Sequence, residues 1–410
     1  MNEKGIVLLT VIIIAVMLFA ISGSFLIIGT KARYLNERYY ENVVALSLAE
    51  AGVDIAMHEI NYGNCDFSGW TAMGGAKRLS VNSFDDGLGN VYGTIVVDAE
   101  NPTGLPHIKS SGIVSSVNGP DVTRTVEAVL DEHRLFEYAM LSDINITLNG
   151  TPYVDSYDSS LGEYNEDIAG VPNLYQNGDV VTNGEGDPAI TLTGSATIYG
   201  DAATGEEGTI YMDGTTNITG DVSNQADEYM PPVVVPQDCI DAALEPSITS
   251  DTVLDAAADG QHHKFSSIDM ASKDTLTLSG NLDIYITGNI TTAAQAIIII
   301  QAGSIVNIYF DGDVDLAGKG VLNVDKIPNQ LTFWGTSATN INIAGVGEFY
   351  GTFYAPNANI FSISGNSELF GAVVAQNILH DGTAGFHYDE SLKDSGPTMG
   401  YDVIGWNEVN

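Results

Sequence analysis

The sequence predicts a long N-terminal α-helix, half transmembrane and half amphipathic. A small antiparallel β-sheet follows, and then a mainly β region that winds as a right-handed parallel β-helix, or β-solenoid. Three observations carry this expectation. No charged residue lies between Gly5 and Thr30. Apolar residues then recur at spacings of three and four to about residue 60. Beyond about residue 135 that periodicity gives way to Ile, Val and Phe alternating with Thr, Ser, Asn and Asp, with one repeat of 20 residues.

The uncharged run, GIVLLTVIIIAVMLFAISGSFLIIGT, would span about 40 Å as a helix, against about 30 Å for a hydrocarbon core. A plain membrane anchor and a cleaved secretory signal both fit such a run. Ala20-Ile21-Ser22 imitates a small-x-small cleavage site, but the apolar run continues past it through Phe25, Leu26, Ile27 and Ile28. Downstream, Leu35, Tyr39, Val43, Leu46, Ala49, Val53, Ala56 and Ile60 mark one stripe, with Asn36, Arg38, Glu41 and Asp54 opposite. One helix over residues 6–60 is therefore expected.

Residues 61–135 read as the small antiparallel sheet, from β-prone runs at 91–97, 108–113 and 123–130 separated by Gly, Pro and Asn. Packed on the second half of the helix, this sheet would bury its stripe. Residues 136–392 read as the β-solenoid. INIAGVGEFYGTFYAPNANI (341–360) overlays FSISGNSELFGAVVAQNILH (361–380), matching Ile343 to Ile363, Gly345 to Gly365, Glu348 to Glu368, Gly351 to Gly371, Ala355 to Ala375 and Asn357 to Asn377. Each such repeat leaves an apolar side uncovered and must stack on the next. An irregular insertion is expected at about 228–273, where Pro clusters break the pattern, and residues 393–410 read as a C-terminal tail.

The chain carries 53 acidic against 14 basic residues, a net charge of −39, and only six of the acids lie within residues 1–60. So negative a surface repels phosphate backbones, and nucleic acid is not an expected partner. Two cysteines, Cys65 and Cys239, are able to pair outside the cytoplasm or to remain thiols. Pairing across so long a loop would stabilise the fold by roughly 5 kcal/mol in the chain-entropy model.

The N-terminal features together carry a likeness. Lys4-Gly5 followed by Ile6, the long apolar helix and the stretch Ala45-Leu-Ser-Leu-Ala-Glu-Ala-Gly-Val53 resemble the type IV pilin and pseudopilin superfamily, most closely its PilX-like minor pilins. The resemblance implies a leader of residues 1–5, cut by a prepilin peptidase between Gly5 and Ile6, with methylation of the new N-terminus. It also implies a single-pass inner-membrane protein with an exported ectodomain, assembling with other pilin-like subunits through the helix. Thr10 then occupies the fifth mature position, where major pilins place a glutamate. An unpaired charge in an apolar fibre core costs several kcal/mol, so a subunit lacking that carboxylate fits a minor or tip position better than a repeating one. Lys31, Arg33 and Arg38 against the lone Lys4 favour the opposite orientation by the positive-inside rule; the acidic, β-patterned region after the helix sides with the leader. The implied role is structural, with the acidic solenoid contacting a surface, a carbohydrate or other pilins. A type II secretion pseudopilin and an uncut surface anchor are the alternatives.

Little in the sequence reads as chemistry. Two sets of acids have calcium-ligand chemistry: Asp311, Asp313 and Asp315, alternating along one strand, and Asp155, Asp158 and Glu163 in a glycine-containing loop. Val314 and Leu316 should face inward, leaving the first set on a solvated face. His262, His263, His380 and His387 lack zinc spacing and read as surface or turn residues. β-Helices also host polysaccharide-cleaving enzymes, but no arginine follows Arg134, and neither Gly-His-Gly nor Arg-x-Lys occurs; a non-enzyme is expected, although a carboxylate pair remains able to hydrolyse a glycosidic bond. Two phrases, Val154-Asp-Ser-Tyr-Asp-Ser-Ser-Leu-Gly-Glu-Tyr164 and Phe386-His-Tyr-Asp-Glu-Ser-Leu392, resemble phrases recurring in β-helical ectodomains attached to PilX-like helices; the sequence gives them no role.

Overall fold

The computed structural model describes residues 3–62, 71–73, 76–84, 93–100, 107–116, 119–344, 347–395 and 398–409. The chain divides into two compact units: Met1–His133 with Met399–Asn410, and Arg134–Thr398.

The first unit is built on a helix, α1 (Glu3–Tyr62), and a six-stranded sheet. The helix runs unbroken through Gly5 and Ile6. Its apolar first half is exposed, Phe19 at 82% and Leu26 at 70%. Among the described residues α1 is the one helix long and apolar enough to cross a membrane, judged by length and composition. The second half is different. Ala45, Ala49, Val53 and Ala56 are buried against Ile108, Val114, Val126 and Leu130 of the sheet. The expected stripe thus holds from Leu46 onward, whereas Leu35, Tyr39 and Val43 stay exposed. Within this contact, small side chains let the backbones of helix and sheet approach closely. At Gly112 any β-carbon would strike the carbonyl oxygen of Ala45 and lie 2.8 Å from Leu48 Cβ. The stretch Ala45–Val53 is small for that reason.

The strands of this sheet, Thr71–Met73, Ala76–Phe84, Gly93–Glu100, His107–Val114 and Val122–Arg134, pair in sequence order as an antiparallel meander. The expected C-terminal tail is instead a sixth strand, Thr398–Val409, beside Val122–Arg134. Its backbone partners explain the correction: Asn61 at the end of α1 accepts from Tyr401 N at 2.9 Å and donates to Tyr401 O at 3.1 Å, while Arg124 pairs with Glu408. The edge of the sheet left by Val122–Arg134 needed a partner, and the chain end supplies it.

The second unit is dominated by a 22-stranded sheet whose pairings within Met140–Asp389 are parallel. The repeat read from the sequence is its register: Ile343 lies opposite Ile363, Glu348 opposite Glu368, Gly351 opposite Gly371 and Ala355 opposite Ala375. The match ends there. Gly345 lies outside the described residues, and Asn357 does not pair with Asn377, whose amide reaches Asn359 O instead. The separation between partners varies, 20 for Thr332 and Thr352, 24 for Asp283 and Asn307, 27 for Asp315 and Asn342. With steps of 17 residues also present between Phe361 and Ile378, no single period runs through the sheet, and only one pair of adjacent 20-residue repeats was visible in sequence.

Three apolar rows run across the strands. One passes through Ile268, Ile290, Val314, Ile341, Phe361, Ile378, Ile146 and Ile190, all at most 1% exposed. A second passes through Phe349, Leu369, Phe386, Val154 and Ile198. In a four-stranded parallel sheet, Leu254, Leu278 and Ile300 form a third. At one corner Gly150, Gly194 and Gly214 stack at φ of 96°, 76° and 77°, each where a β-carbon would press on the glycine carbonyl of the row before.

The order of strands is not the order of the chain. Met140–Gly150, the first strand of the unit, pairs on one side with Val180–Thr182 and Ile190–Leu192 and on the other with Glu368–Gly382, near the unit's end. The chain starts in the middle of the stack, builds outward to Val222–Ser223, then crosses to the far end and builds back from Leu244–Glu245. The crossing segment covers only the first part of the range 228–273 read as an irregular insertion: from Leu244 onward the residues already pair in register. Its Pro-rich part lies along the row Ala203, Val181, Leu141, Val374, Tyr354, Trp334, Tyr309, Tyr285 and Lys264. Contacts follow that order. Ala226 N donates to Thr204 O, Asn183 exchanges two bonds with Glu228, Tyr354 Oη donates to Pro231 O at 2.7 Å, and Lys264 Nζ reaches Ile240 O at 2.8 Å. Ten strand steps need about 48 Å, within reach of twenty extended residues.

Candidate functional site

The two phrases that resembled recurring ectodomain segments are brought together. Strand Tyr153–Tyr157 pairs in parallel with Gly385–Asp389, setting Asp155 beside His387 and Tyr157 beside Asp389. These strands close the stack where first and last layers meet. Asp155 is 4% exposed and His387 fully buried; Nδ1 of the ring lies 2.6 Å from Asp155 Oδ1, and Tyr164 Oη donates to Asp155 Oδ2 at 2.7 Å. The imidazole is packed between Tyr164 and Phe370, at ring distances of 4.0 and 4.4 Å. Its Nε2 has no hydrogen-bond partner among the described residues. Asp389, also fully buried, accepts from Ser159 N and Oγ and from Ser391 N and Oγ, and Ser156 Oγ donates to Glu390. Burial pushes the Asp389 carboxyl up, against the pull of those hydrogen bonds. Nearby, burial and then His387 hold His380 down to about 4, and neither of its ring nitrogens is hydrogen-bonded among the described residues.

A cleft of about 590 Å³ opens beside this closure. Its floor is the outward face of two adjacent layers, with Tyr153 and Asp155 on one and Ser195, Thr197 and Tyr199 on the next. The loop 158–176 folds back as its wall, presenting Tyr164, Leu174, Tyr175 and Gln176. Asn173 holds the loop: fully buried, it donates to the carbonyls of Asp158, Gly162 and Glu163 and accepts from Asp158 N. Tyr175 bridges Ser156 through paired backbone bonds. Burial is the main cause raising the phenols of Tyr153 and Tyr164, with Asp155 adding to it, so both stay protonated donors.

The acids with calcium-ligand chemistry are engaged by protein groups. Asp155 is taken by His387 and Tyr164, Asp158 Oδ1 by Ser160, and Glu163 by Lys326 at 2.9 Å. Asp311 lies in a bend, not on the strand Val314–Ala317, and accepts from Tyr285 and Thr336; Asp313 accepts from Asn340 and Asp315 from Asn342. Val314 and Leu316 do face inward. Among the described residues no group of three or more His, Cys, Asp or Glu is placed to hold a metal ion. The histidines correct a second expectation: His263, His380 and His387 are buried, not surface residues. Spacing along the chain carries no sign of this burial; for His380 and His387 it comes from pairing with strands far away in sequence.

Cys239 is a buried free thiol, and Cys65 lies outside the described residues. The sulfur sits 3.4 Å from Asp283 O and 3.7 Å from His262 Nδ1. Burial, then Asp283 and Asp238, pushes the thiol up to about 11, the reverse of an activated nucleophile. The side chains of Ile6 and Thr10 and the burial of Gly5 likewise fall outside what is described.

Residues 235–395 match the model of a family described as a domain of unknown function, DUF7305. Among curated proteins no significant match is found. Among solved structures the chain is similar to the competence-associated pilin ComZ from Thermus thermophilus, at 11% identity over 90% of this chain and 98% of that one, with a TM-score of 0.24. The matched family span begins in the crossing segment and ends just past the closing strand. It holds His387, Asp389 and Ser391 but neither Asp155, which bonds His387, nor Ser159, which bonds Asp389.

Proposed function

We propose that the protein is a membrane-tethered, pilin-like structural subunit, minor and placed at a tip, that carries an acidic right-handed parallel β-helix outside the cell for adhesion or assembly. The observation that carries this reading is the two-sided character of α1. One unbroken helix exposes large apolar side chains along its first half and packs small residues against an antiparallel sheet along its second. A free apolar rod suits a bilayer first and a bundle of similar rods afterwards. The Lys4-Gly5-Ile6 leader supplies the route between them, through prepilin peptidase and methylation. The parallel rows of the second unit, repeating at 17 to 27 residues, support a β-helix.

The ectodomain belongs to this reading as a non-catalytic module. Both oxygens of Asp155 are engaged, and His387 is sealed beneath aromatic rings. Mass spectrometry of the mature N-terminus tests the processing: a methylated Ile6 is expected, and an intact Met1 would leave a plain anchor in its place.

A further inference from the structure

The geometry points to the cleft beside the closing strands as a binding site for a neutral glycan. Sugars offer apolar C–H faces and a rim of hydroxyls, and they are held by aromatic faces beside fixed donors and acceptors. The cleft presents that combination. Tyr153 and Tyr199 stand on its floor and Tyr164 and Tyr175 on its wall, all half-buried, with Ser195, Thr197 and Gln176 between them. No lysine or arginine lines it. An uronate, sulfate or phosphate group would find no counter-charge there, and the net charge of −39 repels it from afar.

The site is also preorganised. Asn173 fixes the wall through four hydrogen bonds, and the Tyr164 hydroxyl is tied to Asp155. Little ordering is then left for the ligand to impose. The floor does not end at the cleft. Ser195 Oγ bonds Thr215 Oγ1 at 2.6 Å and Thr197 lies opposite Asn217, so hydroxyl and amide groups continue onto the next layer. A chain of sugar units, rather than a single ring, matches this track.

The inference relies on the display reading only for the cleft's access to an outside ligand. The test is titration of the full-length, detergent-solubilised protein with neutral oligosaccharides of glucan, chitin, mannan and galactan type. An oligogalacturonate serves as the anionic counterpart, and binding is followed by saturation-transfer NMR and calorimetry. At least one neutral series is expected to bind, and the uronate not to. Tyr199→Ala and Tyr175→Ala should each weaken binding at least about tenfold, while Tyr211→Ala, exposed and outside the cleft, should leave it unchanged. Ser195→Lys, on an exposed floor position, blocks the track without opening the core and should also reduce binding about tenfold. Failure of all neutral series to bind, equal binding of the uronate, or unchanged binding in the tyrosine and lysine variants would each overturn the site. An intact Met1 in a protein that still binds would sink the pilin reading and leave the cleft standing.

Discussion

The two units bury apolar surface in opposite ways. In the first, a helix is brought against a sheet by the absence of side chains: Ala45, Ala49 and Ala56 on one surface face Gly112 and Ala128 on the other. In the second, rows of large side chains repeat from layer to layer. Phe333 stacks on Phe353 of the next layer at 4.7 Å, Phe361 from a neighbouring row lies tilted against Phe353 at 4.9 Å, and Tyr309, Trp334 and Tyr354 form an outer row under the crossing segment. A helix on a sheet has one contact surface, so closeness matters most. A stack of layers has a contact at each step, so the fit of each large residue to the next dominates.

That contrast breaks at different places for different substitutions. The largest effect is expected from Phe353→Ala, which empties a fully buried position between three aromatic rings. A loss of about 3–5 kcal/mol, seen as a lower denaturant midpoint for the second unit with the α1 unit unaffected, is the expected result.

Acid should come next. His380 is held down to about 4 by burial and by His387, while in the unfolded chain it returns to 6.5. Its contribution to stability is complete above pH 6.5 and is lost as pH falls toward 4, because only the unfolded chain takes up the proton. The size is about 3 kcal/mol. Asp179 and Asp389, whose carboxyls burial raises, act with the opposite sign as acid relieves them. His380→Leu should therefore flatten the acid limb of the second unit's stability curve and change little at pH 8; a limb of unaltered slope would show that His380 is not its source.

Gly112→Val sharpens the comparison from the other side. Its side chain would meet Ala45 O and Leu48 Cβ, and a loss of about 1–3 kcal/mol is expected in the first unit alone. Amide exchange along residues 45–56 of α1 measures it. Coupled loss of both units in either variant would contradict their separation.

Much of the first unit was legible because its signals are local. Charge-free length marks α1, and spacing of three and four marks its buried face as far back as Leu46. The error at Leu35, Tyr39 and Val43 arose because periodicity says which residues share a face, not where the opposing sheet stops. The sixth strand, Thr398–Val409, was missed for a related reason: its partner lies far away in sequence, at Val122–Arg134. In the second unit, only the rows separated by 20 residues could be read as a repeat.

The sequence by itself determined the apolar rod, the alternation that makes strands, the excess of acid, and the register from Ile343 to Ala375, since each depends on neighbours a fixed short distance apart. Tertiary structure decided the order of the layers, the burial of His380 and His387, the pairing of Asp155 with His387 and the tyrosine-lined cleft. Those depend on the chain crossing the stack and returning its last strand to its first. A bond between residues 232 positions apart leaves no periodic trace in the residues between them.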